Sequence, residues 1–319
     1  MVNLLLLLAG FAILIKGADF LVVGASSIAK KCGISNLAIG LTVVAFGTSM
    51  PEFIVSLLAA INGQNDASFG NVIGSNNFNL LFILGLAGII YPLVVQKSTV
   101  KYEIPISLIA AGVLFLLVND ELIRNGTGNS LGRVDSGVLM LCFALFMGYI
   151  YKTMKNSSGE EVATNTKVYR MSIAIVMVVV GLVMLIGGGK LVVDSAISIA
   201  HHFGLSEKLI GLTILAAGTS LPELATSAVA AYKRNTDIAI GNVIGSNIFN
   251  IFFILGLTGL ITPIHFNTAM NFDIYVLLGS TIVLMIFMFT INRAKLDRWE
   301  AIILLGAYLV YTAVLISMD

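Results

Sequence analysis

Two glutamates stand where carboxylates are costly. Glu52 and Glu223 lie deep inside apolar stretches, at the ends of the matching strings GTSMPE (47–52) and GTSLPE (218–223). A carboxylate within a bilayer costs several kcal/mol, and such residues usually face an interior cavity and carry function. Neither string contains a Lys or Arg to pair with it. The neighbours extend the chemistry. Thr48, Ser49 and Glu52 fall on one helical face by their spacing, and Thr219, Ser220 and Glu223 repeat the arrangement. Pro51 removes a backbone donor and crowds the carbonyl of Gly47. A local break is therefore predicted, freeing carbonyls near Ala45 and Phe46, and near Ala216 in the second string, to act as ligands. Irregular backbone at membrane depth survives only inside protein or beside a watery cavity. Farther on, Ser75 and Asn79 are one turn apart, as are Ser246 and Asn250, with Asn71 and Asn242 one turn before those serines. Gly70, Gly74, Gly241 and Gly245 allow close helix approach. The inventory is carboxylates, hydroxyls, amide oxygens and carbonyls. These hard donors suit Ca²⁺, which takes about six to eight oxygens, and also Na⁺, while metals that seek imidazole or thiolate are disfavoured.

Membrane-spanning helices must position this set. The 319 residues are 58% hydrophobic and 11% charged, with a mean hydropathy of +0.98. A soluble domain carries about 25% charged residues, so lipid is the solvent for most of the chain. A spanning helix needs about 20 apolar residues. Ten spans meet that need, at 2–23, 36–60, 67–90, 103–119, 134–152, 170–193, 207–231, 238–262, 272–291 and 299–317. The first span has neither a basic n-region nor a small-residue cleavage site and reads as a retained helix. The polar stretch 153–169 reads as a linker between two five-helix halves, 1–152 and 170–319. Loops after odd-numbered spans hold 13 of the 18 Lys and Arg residues, while the opposite side holds Arg124, Arg133 and Lys208. The positive-inside rule then places the odd loops and the linker in the cytoplasm and both termini outside, which suits a multi-pass protein of the cell membrane.

The halves are copies. GLTVVAFGTSMPE at 40–52 returns as GLTILAAGTSLPE at 211–223, and GNVIGSNNFN at 70–79 returns as GNVIGSNIFN at 241–250. At an offset of 171, 30 of 53 positions from 40–92 are identical, without a gap. Shared apolar composition explains matched leucines but not matched Gly, Thr, Ser, Pro, Glu and Asn in one register. Five spans separate the copies, so they run in opposite directions, as in secondary transporters that bind at a midplane repeat interface.

With both motifs in view, the chain resembles the cation/calcium exchanger superfamily through its alpha repeats, most closely the prokaryotic sodium/calcium exchangers. The resemblance covers nearly the whole chain. It implies an all-α membrane fold of ten helices in two inverted five-helix repeats, with the second and seventh broken at the core. It implies electrogenic exchange of several Na⁺ for one Ca²⁺ by alternating access, with a central Ca²⁺ position flanked by Na⁺ positions. Glu52 and Glu223 match the family's central acidic ligands. Thr48, Ser49, Thr219 and Ser220 match its hydroxyl and carbonyl ligands, and Ser75 and Ser246 its Na⁺-lining serines. The first and sixth helices of the family slide as a gating pair. One departure stands out: Asn250 occupies a place where many exchangers carry Asp.

Exchange driven by H⁺ or K⁺ is the nearest alternative, and a cation channel a more distant one that the inverted design argues against. No HExxH motif or nucleophile–base pair accompanies the polar residues, so the chain reads as no enzyme, with no resident cofactor. Its partners are Ca²⁺, Na⁺ and the lipid bilayer. The net charge of +1 gives no nucleic-acid signal, and no obligate protein partner is evident. Among the remaining features, Lys16 with Asp19, and Lys190 with Asp194, are spaced to pair within a helix. Asp66 and Asp237 are placed to cap helices, Trp299 to anchor at an interface, and Cys32 and Cys142 to be buried free thiols. His201 and His202 read as loop residues.

Overall fold

The break read from Pro51 is the feature that organises the fold. The computed structural model describes residues 2–124, 128–156, 168–202, 216–290 and 292–318. Helix α1 spans Val2–Cys32. Then α2 (Asn36–Thr48) and α3 (Met50–Ile61) form one broken rod, bent by 46°. The bend is made at Ser49, whose backbone leaves the helical region at φ −83°, ψ 6°. Pro51 falls in the first turn of α3, where no N–H is needed and proline is well tolerated. Next come α4 (Asn65–Ile90), α5 (Thr99–Val118) and α6 (Arg133–Asn156), then α7 (Met171–His202). The second broken rod is α8 (Ala216–Gly218) and α9 (Leu221–Tyr232), with Ser220 at φ −86°, ψ 6° and Pro222 in the first turn of α9. Helices α10 (Thr236–Ile261), α11 (Asn271–Phe287) and α12 (Arg298–Met318) complete the order.

Among the described residues, eight single helices and the bent pair α2–α3 are long and apolar enough to cross a membrane. The seventh span is described only from Ala216 on; its residues 207–215, with Lys208, lie outside the described residues, as do 157–167 of the linker. Helices α1 and α7 extend past the predicted spans into polar sequence, to 31 and 32 residues.

Two helices form the centre. The apolar windows of α10 and α4 are 94% and 72% buried, against 22–39% for the other single spans. These are the helices that carry the GNVIGSN strings, and lipid does not wet their polar faces. Helix α10 approaches α2 closely: a Cβ added at Gly245 would stand 2.8 Å from Leu41 Cα, and one at Gly241 2.9 Å from the Leu37 carbonyl. The predicted packing role of these glycines therefore holds for Gly241 and Gly245. The counterpart segment for Gly70 and Gly74, by the 171-residue offset, falls almost wholly outside the described residues.

Short strands tie the halves together. β1 (Leu93–Val94) pairs antiparallel with β4 (Lys295–Leu296), and β2 (Ser130–Leu131) with β3 (Ile264–His265). Each ladder joins one half to the other, and β1 and β3 occupy equivalent positions in the repeat.

Several expectations need correction. Asp19 pairs not with Lys16 but with Lys233 at the end of α9, at 2.5 Å. Both side chains are partly exposed, so Asp19→Asn is expected to lower stability by less than about 1 kcal/mol in a thermal melt; a larger loss would show that the pair is shielded from screening. Asp66 and Asp237 do not cap. The side chain that caps α10 is Asn235, accepting from the Ile238 N–H, and Gln64 at the start of α4 makes no side-chain cap. Instead Asp66 accepts from Asn267 and Asp237 from Gln96, two contacts related by the same offset of 171. Cys32 is exposed and Cys142 half-buried, both free, because the elongated α1 carries Cys32 past the packed region. Trp299 is 43% exposed and meets Phe287 edge-on.

Candidate cation site

The two breaks and the two central helices bring the predicted residues together. Thr48, Ser49, Glu52, Ser75, Asn79, Ser220, Glu223, Ser246 and Asn250 are all buried, with both glutamates wholly inaccessible. Thr219 is half-buried, and Ala45 and Ala216 begin the last short helical turn before each break. Each glutamate is held by the opposite half. Ser49 donates to Glu223 Oε1 at 2.8 Å, with Ser246 Oγ 3.0 Å from the Ser49 hydroxyl. Ser220 donates to Glu52 Oε1 at 3.0 Å and lies 2.9 Å from Ser75 Oγ.

The threonines do a different job from the serines. Thr48 donates to Asn242 Oδ1 at 3.1 Å, and Thr219 to Asn71 Oδ1 at the same distance. Asn242 in turn donates to the Glu223 carbonyl and to Ser227; Asn71 donates to the Glu52 carbonyl and to Ser56. These amides brace the start of the helix that carries each glutamate. The Ala45 carbonyl is not freed as expected: it accepts the Ser49 N–H at 3.0 Å, and the Thr48 hydroxyl oxygen lies 3.3 Å from it. Pro51 removes only the bond to the Gly47 carbonyl, and the bond from Ser49 to Ala45 lies before it.

Four acceptor oxygens are left over. Among the described residues, Glu52 Oε2, Glu223 Oε2, Asn79 Oδ1 and Asn250 Oδ1 are buried without a hydrogen-bond partner. Unpartnered buried acceptors cost about 1–3 kcal/mol each, and native proteins keep few of them. All four belong to residues in which the repeat is identical; the two amide oxygens can only accept, and the two carboxylate oxygens only accept when ionised. Among the described residues, neither glutamate forms an ion pair with Lys or Arg. Among the same residues, no group of three or more His, Cys, Asp or Glu side chains is poised to hold a metal. A cation at this place would have to be met by two carboxylates and neutral oxygens.

Helix geometry contributes as well. Wide π-helical turns occupy Phe78–Ile83 and Asn250–Leu255, and each takes in one of the two asparagines. Such turns are rare and cluster at functional sites.

The family model described as sodium/calcium exchanger protein matches residues 2–152 and 173–317. The chain belongs to the sodium/calcium exchanger family. The putative antiporter CaxA of Alkalimonas amylolytica is 37% identical, covering 99% of both chains. The sodium/calcium exchanger MaX1 of Methanosarcina acetivorans is 32% identical over 98% of each. The structure of the sodium-calcium exchanger NCX_Mj soaked with Na⁺ and Ca²⁺ superposes with a TM-score of 0.81 at 33% identity, covering 98% of each chain. Family and fold together make this a multi-pass, all-helical membrane transporter, a cation/Ca²⁺ antiporter.

The sequence reading passed over Asn76, Asn247, Ser56 and Ser227. The signal was present, since all four are identical across the repeat. Asn76 and Asn247 were missed because each lies about 100° around the helix from the serine beside it, on a face that pattern alone assigns to packing. Both are wholly or almost wholly buried, as are the two serines.

Proposed function

We propose that the chain exchanges Na⁺ for Ca²⁺ by alternating access at a single midplane site. The observation that carries this reading is the set of four unpartnered acceptor oxygens on Glu52, Glu223, Asn79 and Asn250. Two carboxylates match the charge of one Ca²⁺, and its remaining ligands of about six to eight come from neutral oxygens. In this reading Glu52 and Glu223 hold Ca²⁺ centrally. Ser49, Ser220, Ser75 and Ser246 turn their hydroxyl oxygens to the ions, with Asn79 and Asn250 alongside. Thr48 and Thr219 set the broken ends. The ions are cargo, and no resident cofactor is proposed.

The contacts related by one offset support two inverted repeats, 1–152 and 170–319, within ten spans and with a cytoplasmic linker at 153–169. Lys and Arg placement supports both termini outside a cell membrane. The printed names of MaX1 and NCX_Mj support Na⁺ as the driving ion.

The test is uptake of ⁴⁵Ca²⁺ into proteoliposomes under an outward Na⁺ gradient, with H⁺ and K⁺ gradients substituted in turn. Uptake is expected with Na⁺ alone. Uptake driven only by H⁺ or K⁺ would replace the coupling ion, and flux without any counter-ion would replace the antiporter by a channel.

A further inference from the structure

Asn76 and Asn247 face each other across the two central helices. Asn76 Nδ2 donates to the Asn247 carbonyl, and Asn247 Nδ2 donates to the Asn76 carbonyl, both at 3.2 Å. A backbone carbonyl can only accept, so these two bonds fix which end of each side-chain amide is nitrogen. The oxygens are fixed with them. Asn247 Oδ1 then accepts from Asn79 Nδ2 at 3.0 Å, and Asn76 Oδ1 accepts from Asn250 Nδ2 at 3.0 Å. Asn250 Nδ2 is additionally 3.3 Å from Ser75 Oγ. With their nitrogens committed, Asn79 and Asn250 have only Oδ1 left, and those are the unpartnered oxygens.

An amide can present either a donor or an acceptor. An N–H₂ turned into a cation site would repel the ion, while a carbonyl oxygen attracts it. We propose that Asn76 and Asn247 are positioning residues, a crossed amide pair that locks Asn79 and Asn250 with their oxygens toward the cation. The pair touches no glutamate in any described contact and acts through the neighbouring asparagines. Its cation-binding consequence rests on the exchange reading; its geometry does not. The backbone carbonyls at Asn76 and Asn247 make the lock independent of side-chain rotation elsewhere, and burial keeps water from supplying substitute partners.

The full-length chain, labelled with ¹³C,¹⁵N-asparagine and reconstituted in bilayers, tests the geometry by solid-state NMR. Cross-peaks are expected between Asn79 Nδ2 and Asn247 Cγ and between Asn250 Nδ2 and Asn76 Cγ. Their absence would overturn the inference without recourse to any variant. The second arm is equilibrium ⁴⁵Ca²⁺ binding. Asn247→Ala is expected to weaken binding about tenfold, the effect of losing one well-placed polar contact. In an Asn79→Ala background the same change should add less than about twofold, because Asn247 acts only through Asn79. A merely structural role predicts losses that add, and additive losses would sink the proposal. Wild-type protein that binds no ⁴⁵Ca²⁺ would defeat the exchange reading itself and the cation role of these amides with it, an outcome distinct from any failure among the variants.

Discussion

Glu52→Gln is expected to cut Ca²⁺ transport by at least about thirtyfold while raising the melting temperature of the ion-free protein. Both effects have the same cause. Glu52 and Glu223 are wholly buried with no basic partner among the described residues. Each has one oxygen held by a serine hydroxyl of the other half and one without a partner. Two buried like charges disfavour one another, and removing one relieves that strain. Gln keeps the shape and still accepts from Ser220 through its carbonyl oxygen. Relief of this kind is worth about 0.5–2 kcal/mol. Removing one charged partner of a buried ion contact costs about 2–5 kcal/mol, which sets the scale of the transport loss. Glu223→Gln should behave alike, because Ser49 stands to it as Ser220 stands to Glu52. The measurements are ⁴⁵Ca²⁺ uptake and thermal melts in buffer free of Na⁺ and Ca²⁺, then with Ca²⁺ added. Ca²⁺ should raise the wild-type melting temperature and leave the variant nearly unchanged. A variant that transports normally, or one that melts lower in ion-free buffer, would mean that the carboxylates serve packing rather than cargo.

The broken rods show what the sequence could and could not convey. A proline four residues after a glycine, with an acid beside it at membrane depth, is enough to place a bend and a polar site near Glu52. It is not enough to place the bend at Ser49 and leave the Ala45 carbonyl bonded, because that depends on how the following helix starts. The repeat showed which residues correspond at the offset of 171. It could not show that Ser49 meets Glu223 rather than Glu52, since the relative placement of two copies is a property of packing. Asn76 and Asn247 were hidden for the same reason, as their partners lie across the molecule. Asp66 and Asp237 were misread because a local role at a helix start is the ordinary use of such residues, whereas their amide partners are 201 and 141 residues distant in sequence.

Gly181→Ala is expected to destabilise the protein by about 1–3 kcal/mol, the usual cost of overpacking, and Gly181→Leu to prevent folding. A Cβ built on Gly181 would stand 2.8 Å from both the Gly17 carbonyl oxygen and the Leu21 nitrogen. The obstacles are backbone atoms, so no rotamer change makes room. The same seam joins α1 to α7 at two further levels. A Cβ on Gly24 would lie 2.8 Å from the Ala174 carbonyl, and one on Gly188 3.0 Å from the Leu14 nitrogen. Displacing one level therefore strains the others. In a bilayer, no hydrophobic force holds helices together, and close approach at small residues supplies van der Waals contact instead. The pair is tethered to the rest of the protein by Asp19 with Lys233 and by Ser26 with Asn235, while Glu52 and Glu223 lie on other elements. Gly181→Ala should thus lower the melting temperature and slow transport while equilibrium ⁴⁵Ca²⁺ binding by the folded fraction changes less than about threefold, since the contacts that a methyl group at Gly181 would strain are with Gly17 and Leu21 of α1 and not with the glutamates. A matching collapse of binding would show that the seam shapes the cation site directly. An unchanged melt would show that α1 and α7 can part by a methyl group without loss, against the backbone contacts that oppose it.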